Sequence, residues 1–184
     1  GKTGFGLASE FLSGFKPGHS FEFYIHPNNR FRLPSADANI IMIGPGTGIA
    51  PFRSFIAERE ATGATGKNWL FFGEQHFITD FLYQSEIQNW FETGVLTKVS
   101  TAFSRDQQEK VYVQNKMMQQ GKEFFEWLQS GAFVYVCGNK DPMSVDVENT
   151  IVTIIEKFGE RSGDDAVKYL DSLKEDERYI TDVY

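Results

Sequence analysis

Residues 39–55 read NIIMIGPGTGIAPFRSF. Ile40, Ile41, Met42 and Ile43 run without a polar interruption into Gly44-Pro45-Gly46-Thr47-Gly48. A short apolar run bounded by turn residues has the pattern of a strand buried on both faces. Pro51 then stands at a permitted first-turn position, and an apolar helical pattern follows it. Three glycines within five residues let backbone N–H groups approach something large and polar, and a helix N-terminus there favours negative charge. The stretch therefore points either to a phosphate-bearing ligand or to no more than a tight strand-to-helix turn. It is not a complete dinucleotide fingerprint. Ile49 or Pro51 takes the place of the third Gly of G-x-G-x-x-G, depending on the starting glycine, and no Gly-Lys-Ser/Thr follows to make a P-loop.

Outward from this stretch, strands and helices alternate. Helix 51–61 precedes strand 69–72, helix 81–91, strand 96–103, an irregular helical run to Leu128, and strand 133–137. Val147, Ile151, Ile154, Ile155 and Phe158 then share one helical face, and a last helix over 164–173 leads to a tail ending in Tyr184. Near-continuous apolar strands alternating with helices predict a doubly wound parallel sheet of the α/β class. Before it, residues 5–15 predict a short helix and 20–26 an alternating, half-buried strand. The Asn-, Pro- and Ser-rich stretch 28–37 reads as a connector, which places a domain boundary between 1–37 and 38–184.

Bulk properties narrow the choice. With 25 acidic and 18 basic residues the net charge is −7, a poor balance for nucleic-acid binding. No apolar run approaches the roughly 20 residues that span a bilayer. A single cysteine, Cys137, excludes an internal disulfide, and no leader pattern is visible, so a reducing, cytoplasmic setting is expected. The chain opens on Gly1 inside patterned sequence, as a fragment of a longer protein would.

Parallel sheets bind ligands beyond the carboxyl ends of their strands. After the third predicted strand come Ser104 and Arg105, with Lys110, Tyr112 and Gln114 close behind. A hydroxyl, a guanidinium and an ammonium on one short loop suit a dianion, and Arg near an adenosine ribose accommodates a 2′-phosphate. Alternatively the loop is a solvated surface whose Asp106 and Glu109 pair these bases. After the fourth strand, Cys137 reads as a small buried hydrophobe or as a soft side chain beside a reactive ring. Asp146 reads as a favourable charge near a helix N-terminus or as an acceptor for a ligand. His19, His26 and His76 lack metal-ligand spacing and read as structural or exposed. No metal site, catalytic triad or carboxylate dyad stands out, so any chemistry would belong to a cofactor.

GPGTGIAPFRSF, NWLFFGEQ, AFSRDQ, KVYVQ, VYVCG and the terminal DVY occur in the order of the ferredoxin–NADP reductase module of the diflavin reductases, which the whole chain resembles. FRLP (31–34), DFLYQSE (80–86) and SRDQQEKVYVQ (104–114) resemble, more narrowly, the flavoprotein (alpha) subunits of assimilatory NADPH-sulfite reductases. The resemblance implies an NADP-binding domain preceded by the C-terminal remnant of an antiparallel β-barrel FAD-binding domain. It implies that Ser104 and Arg105 bind the 2′-phosphate of NADPH, that Lys110, Tyr112 and Gln114 hold the phosphate and adenine end, and that Thr47 and Asp146 touch the dinucleotide. Cys137 and Asp182, with Ser54, would line the hydride-transfer site. Tyr184 would stack on the FAD ring, and Gly6, Leu7, Ala8 and Ser9 would touch the FAD pyrophosphate. The implied partners are an FMN domain upstream in the same full-length chain and a sulfite reductase hemoprotein (beta) subunit, with no nucleic acid and no membrane. The Arg-x-Tyr-Ser element that binds the flavin ring is absent from these residues, so the chain alone is expected to bind NADP⁺ but to purify without flavin. A stand-alone ferredoxin or flavodoxin reductase, and a non-catalytic NADP-binding module, remain alternatives.

Overall fold

The computed structural model describes residues 7–24 and 27–184. Four strands follow the apolar runs: β1 (Ile40–Ile43), β2 (Asn68–Glu74), β3 (Lys98–Phe103) and β4 (Phe133–Gly138). All run parallel, in the order β3-β2-β1-β4-β5. The fifth, β5 (Tyr179–Val183), lies within the expected tail and pairs with β4 along its whole length. From β1 the chain winds outward through β2 to β3, then returns to the other side of β1 for β4 and β5. Such a reversal opens a crevice at the carboxyl ends of the central strands.

The pleat divides the core into two layers. Ile41, Ile43, Trp69, Phe71, Val134 and Val136 face one side. Helices α5 (Val113–Gln119), α6 (Gly121–Gln129), α7 (Val145–Phe158) and α8 (Gly163–Glu175) cover it with Met117, Phe124, Ile151 and Leu170, among others. Ile40, Met42, Leu70, Phe72, Tyr135 and Cys137 face the other side, under α2 (Ala50–Thr62) and α4 (Gln84–Glu92). Both faces of β1 are covered, so its four residues are fully buried and the uninterrupted apolar run has its cause.

The connector before β1 is fastened to this second layer. Phe31 packs against Phe52, Phe55 and Tyr135, and Tyr135 Oη donates to Arg32 O at 2.6 Å. Arg59 is buried on α2, and its Nη2 donates to Ala38 O at 2.9 Å and Gly66 O at 2.8 Å. One guanidinium thereby ties the approach to β1 to the approach to β2.

Three expectations need correction. The expected strand over 20–26 is not formed in its described part, 20–24. Its alternating Phe21 and Phe23 are exposed, and no strand among the described residues pairs with it. The expected helix 81–91 forms as α4 but begins only at Gln84, because Tyr83 takes a left-handed conformation (φ 56°) that helices exclude, and a separate short α3 (Phe77–Asp80) precedes it. The irregular run to Leu128 is likewise two helices, α5 and α6, hinged at Gln120 (φ −108°, ψ 21°). Helix α1 (Leu7–Ser13) follows its expectation and buries none of its residues.

Candidate functional site

A cavity of about 660 Å³ opens at the carboxyl ends of β1 to β4. Each strand contributes the residues that follow it. Pro45 and Gly46 come from β1, Glu74 and Gln75 from the end of β2, Ser104 and Arg105 from β3, and Asn139 and Met143 from β4. Lys110, Tyr112 and Gln114, from the approach and first turn of α5, and Asp146, from the first turn of α7, complete the wall. Six residues selected for the dinucleotide, the five of its phosphate and adenine end (Ser104, Arg105, Lys110, Tyr112, Gln114) and the further contact Asp146, thus share one cavity, although up to 42 positions separate them in the chain.

The glycines of the first turn divide their work. Gly48 lies flat against the end of β4, where a Cβ would stand 2.1 Å from Cys137 O, so packing alone demands its size. Gly46 adopts φ +59° and lines the cavity. Only it combines the left-handed backbone with a ligand-facing position. Packing accounts for Gly48, while Gly46 is the residue of the turn that faces the cavity.

The loop after β3 is stitched to the loop after β2. Ser104 N–H donates to Glu74 O at 2.8 Å and Arg105 N–H to Gln75 O at 2.9 Å, extending the β2–β3 ladder past the strand ends. Asp106 turns toward α3: it accepts from Phe77 N–H at 2.8 Å and lies 2.9 Å from His76 Nδ1. Those bonds, Phe77 N–H foremost and then His76, hold the carboxyl below its ordinary value. The acid next to Arg105 is therefore engaged elsewhere. Neither the Arg105 guanidinium nor the Lys110 ammonium forms an ion pair or side-chain hydrogen bond among the described residues, so Asp106 and Glu109 do not pair these bases, although the loop over 105–110 is exposed. Two free cations on the wall of a cavity in a chain of net charge −7 suit an anion with more than one negative oxygen. Across the cavity, Gln114 Nε2 donates to Asp146 Oδ2 at 3.3 Å, and Tyr112 caps α5 through its backbone N–H to Asn115 Oδ1 at 2.8 Å.

The hydride-site candidates sit on the neighbouring strand pair. Cys137 and Asp182 are register partners on β4 and β5. Burial, and secondarily the Asp182 carboxylate, push the Cys137 thiol up to about 11, so at neutral pH it is an uncharged, buried S–H. Thr47 Oγ1 and Tyr184 Oη are 2.5 Å apart, while Tyr184 N–H donates to Gly138 O and Lys140 N–H to Tyr184 O. The terminal aromatic is thereby set beside the glycine turn with its side chain mostly exposed. Ser54 is an exposed residue of α2 and lines no part of the cavity. Leu7, Ala8 and Ser9 form the exposed first turn of α1, and Gly6 lies outside the described residues.

Glu74, Gln75 and Asn139 also line the cavity, beyond the residues the sequence reading selects, and His76 reaches the site through Asp106. A signal for the first three exists, since Glu74 ends β2 and Gln75 and Asn139 directly follow strands. His76 carries none, because its partner lies 30 positions further along.

Comparison with known proteins agrees with this geometry. Residues 42–149 match the family described as oxidoreductase NAD-binding domain, from within β1 to the first turns of α7. The chain is 55% identical over 170 residues, 92% of its length, to the sulfite reductase (NADPH) flavoprotein alpha-component of Bacillus subtilis. It is 47% identical over 185 residues, its whole length, to the protein of that name from Shewanella oneidensis, and 48% identical over 186 residues to that of Vibrio cholerae. It spans 28–30% of the length of these relatives. A match over most of the chain, coinciding with the parallel sheet and its cavity, shows that the chain belongs to the oxidoreductase NAD-binding domain family.

Proposed function

We propose that the chain is the NADPH-binding part of a flavoprotein reductase. The observation that carries this reading is the pair of cations, Arg105 and Lys110, on the cavity wall at the carboxyl ends of the sheet, neither of them in an ion pair among the described residues. Ser104 adds a hydroxyl, and together they match the charge and oxygen count of a 2′-phosphate, which NADPH has and NADH lacks. The pyrophosphate would run along the Pro45–Gly46 turn, with the adenine end toward Tyr112 and Gln114, and Asp146 accepting a hydrogen bond from the ligand. Bound NADPH supplies a hydride from nicotinamide C4, which flavin N5 accepts. Thr47, Cys137 and Asp182 would position the nicotinamide, with Ser54 at the margin. Asp182 would stabilise the positive charge that the ring gains as hydride leaves.

Residues 1–37 fit the trailing part of a FAD-binding domain, and 38–184 the NADP(H)-binding domain. Leu7, Phe11, Phe21 and Phe23 are exposed, and the three phenylalanines lie side by side, as an apolar patch awaiting a covering partner would. The rest of a FAD-binding domain would provide it. Tyr184 would stack on the isoalloxazine, with Gly6, Leu7, Ala8 and Ser9 near the FAD pyrophosphate. In the whole protein, electrons would pass from NADPH through FAD and the FMN of a further domain to a sulfite reductase hemoprotein in the cytoplasm. The names of the similar proteins support NADPH, a flavin and sulfite reduction in that assignment. No helix among the described residues is long and apolar enough to cross a membrane.

Calorimetric titration of the protein with NADP⁺ and NAD⁺ tests this reading. NADP⁺ should bind at least about 100-fold more tightly, as two charge-assisted contacts to the extra phosphate require. Equal affinities would overturn it.

A further inference from the structure

Arg105 is followed at once by an acid, and a flexible loop would let Asp106 compete with any anion for the guanidinium. The structure prevents this from the neighbouring strand. Asp106 Oδ2 accepts from Phe77 N–H and Oδ1 meets His76 Nδ1, while His76 N–H donates to Asp80 Oδ2 at 2.9 Å. An ionised carboxylate has no proton to give, so the imidazole Nδ1–H must be the donor. His76 is not among the residues that line the cavity. Among the described residues, its side chain bonds only the acid that adjoins Arg105.

We propose that His76 is a positioning residue for recognition of the 2′-phosphate: by holding Asp106 against α3 it keeps Arg105 unpaired and so sets the preference for phosphorylated over unphosphorylated dinucleotide. The proposal rests on the reading of Arg105 as a 2′-phosphate ligand. The expected size follows from electrostatics. A carboxylate that swings into contact with a surface guanidinium offsets roughly a tenfold share of a dianion's affinity.

Titration with 2′,5′-ADP and 5′-ADP reads the effect without any flavin chemistry. His76→Ala should weaken 2′,5′-ADP by about tenfold and 5′-ADP by less than about twofold. His76→Asn, which keeps an N–H for Asp106, should stay within about twofold of the parent protein. The decisive arm is His76→Ala combined with Asp106→Asn. The amide put in place of the carboxylate retains an oxygen for Phe77 N–H but no charge, so 2′,5′-ADP affinity should return to within about threefold of the parent. If the histidine served only to brace the loop, the double variant would bind more weakly than His76→Ala. That result, or an unchanged ratio of the two ligands in His76→Ala, overturns the proposal. Should His76→Ala fail to fold, Asp106→Asn alone decides: binding of 2′,5′-ADP at least as tight as the parent's supports the proposal, and weaker binding overturns it. Arg105→Ala separates the two levels. If it loses the preference for 2′,5′-ADP while the His76 variants keep it, only the positioning role fails. If it keeps that preference, the 2′-phosphate reading fails and takes the proposal with it.

Discussion

Thr47 Oγ1 and Tyr184 Oη lie 2.5 Å apart, joining the glycine turn after β1 to the last residue of the chain. Two further backbone bonds, Tyr184 N–H to Gly138 O and Lys140 N–H to Tyr184 O, hold the terminal residue along the end of β4. In the proposed binding mode the nicotinamide end of the dinucleotide approaches this turn, and a ring bonded to Thr47 would have to release it before the nicotinamide could take its place.

Tyr184→Phe keeps the ring and removes the bond. A neutral hydrogen bond between exposed groups contributes at most about 1 kcal/mol net, so NADP⁺ affinity should rise by up to about fivefold. Thr47→Val should give a smaller gain, because Thr47 is itself a candidate contact to the dinucleotide. Calorimetric Kd values that do not move in Tyr184→Phe would show that the bond does not oppose binding.

Arg105→Ala should cost NADP⁺ about 100-fold in affinity, or roughly 2–3 kcal/mol, through loss of charge-assisted bonds to the 2′-phosphate. NAD⁺ should change by less than about threefold, since an exposed guanidinium has nothing to hold there. Equal losses for both cofactors would remove Arg105 from the 2′-phosphate site.

The fold is most readable where burial is uniform. Ile40–Ile43 lies between two helical layers, and its sequence carries no polar residue to obscure the strand. Strand β5 is hard to read because it is an edge strand: Thr181 and Asp182 face solvent, so Tyr179-Ile180-Thr181-Asp182-Val183 lacks both an apolar run and a clean alternation. The alternating stretch 20–24 misleads in the opposite sense, since alternation predicts a strand only where a partner edge exists. Candidate site residues are legible in so far as topology gathers strand ends, which is why Ser104, Arg105 and Asp146 can be selected. Long-range side-chain pairing is not. Nothing local in the sequence shows that Asp106 bonds His76 rather than Arg105, or that Thr47 meets a residue 137 positions away.

The glycine turn offers a stability test that is independent of any ligand. In Gly48→Ala the new methyl would stand 2.1 Å from the Cys137 carbonyl oxygen, backbone against backbone, where no side chain can swing aside. Overpacking of that kind costs about 3 kcal/mol or more, and chemical denaturation should show a loss of that size. Gly163→Ala is the control. It opens α8 with nothing within 4 Å and no left-handed backbone, so alanine should be neutral or stabilise by up to about 0.5 kcal/mol. Comparable losses in both variants would mean that the close approach of the turn to β4 is not what fixes glycine at position 48.

Cys137 gives a pH signature. Its folded thiol is pushed up to about 11 from an ordinary value of 9.0, first by burial and then by Asp182. A raised folded value means that the unfolded chain releases the proton first. The associated stability is complete below about pH 9 and is lost as pH rises toward 11, by an amount on the order of 2 kcal/mol. Buried Tyr135 and Tyr179 are also pushed up by burial and steepen the same alkaline limb. Denaturant unfolding between pH 8 and 11, in the parent and in Cys137→Ala, separates these contributions. The variant is less stable at pH 8, because it leaves a small gap in the layer beneath α2, but its decline between pH 9 and 11 should be shallower. Iodoacetamide labelling gives a second readout, with negligible modification of the folded protein at pH 8 and fast modification once unfolded. Parallel alkaline limbs for parent and variant, or rapid labelling of the folded protein at pH 8, would mean that Cys137 is not the buried, protonated thiol that the β4–β5 pairing places beside Asp182.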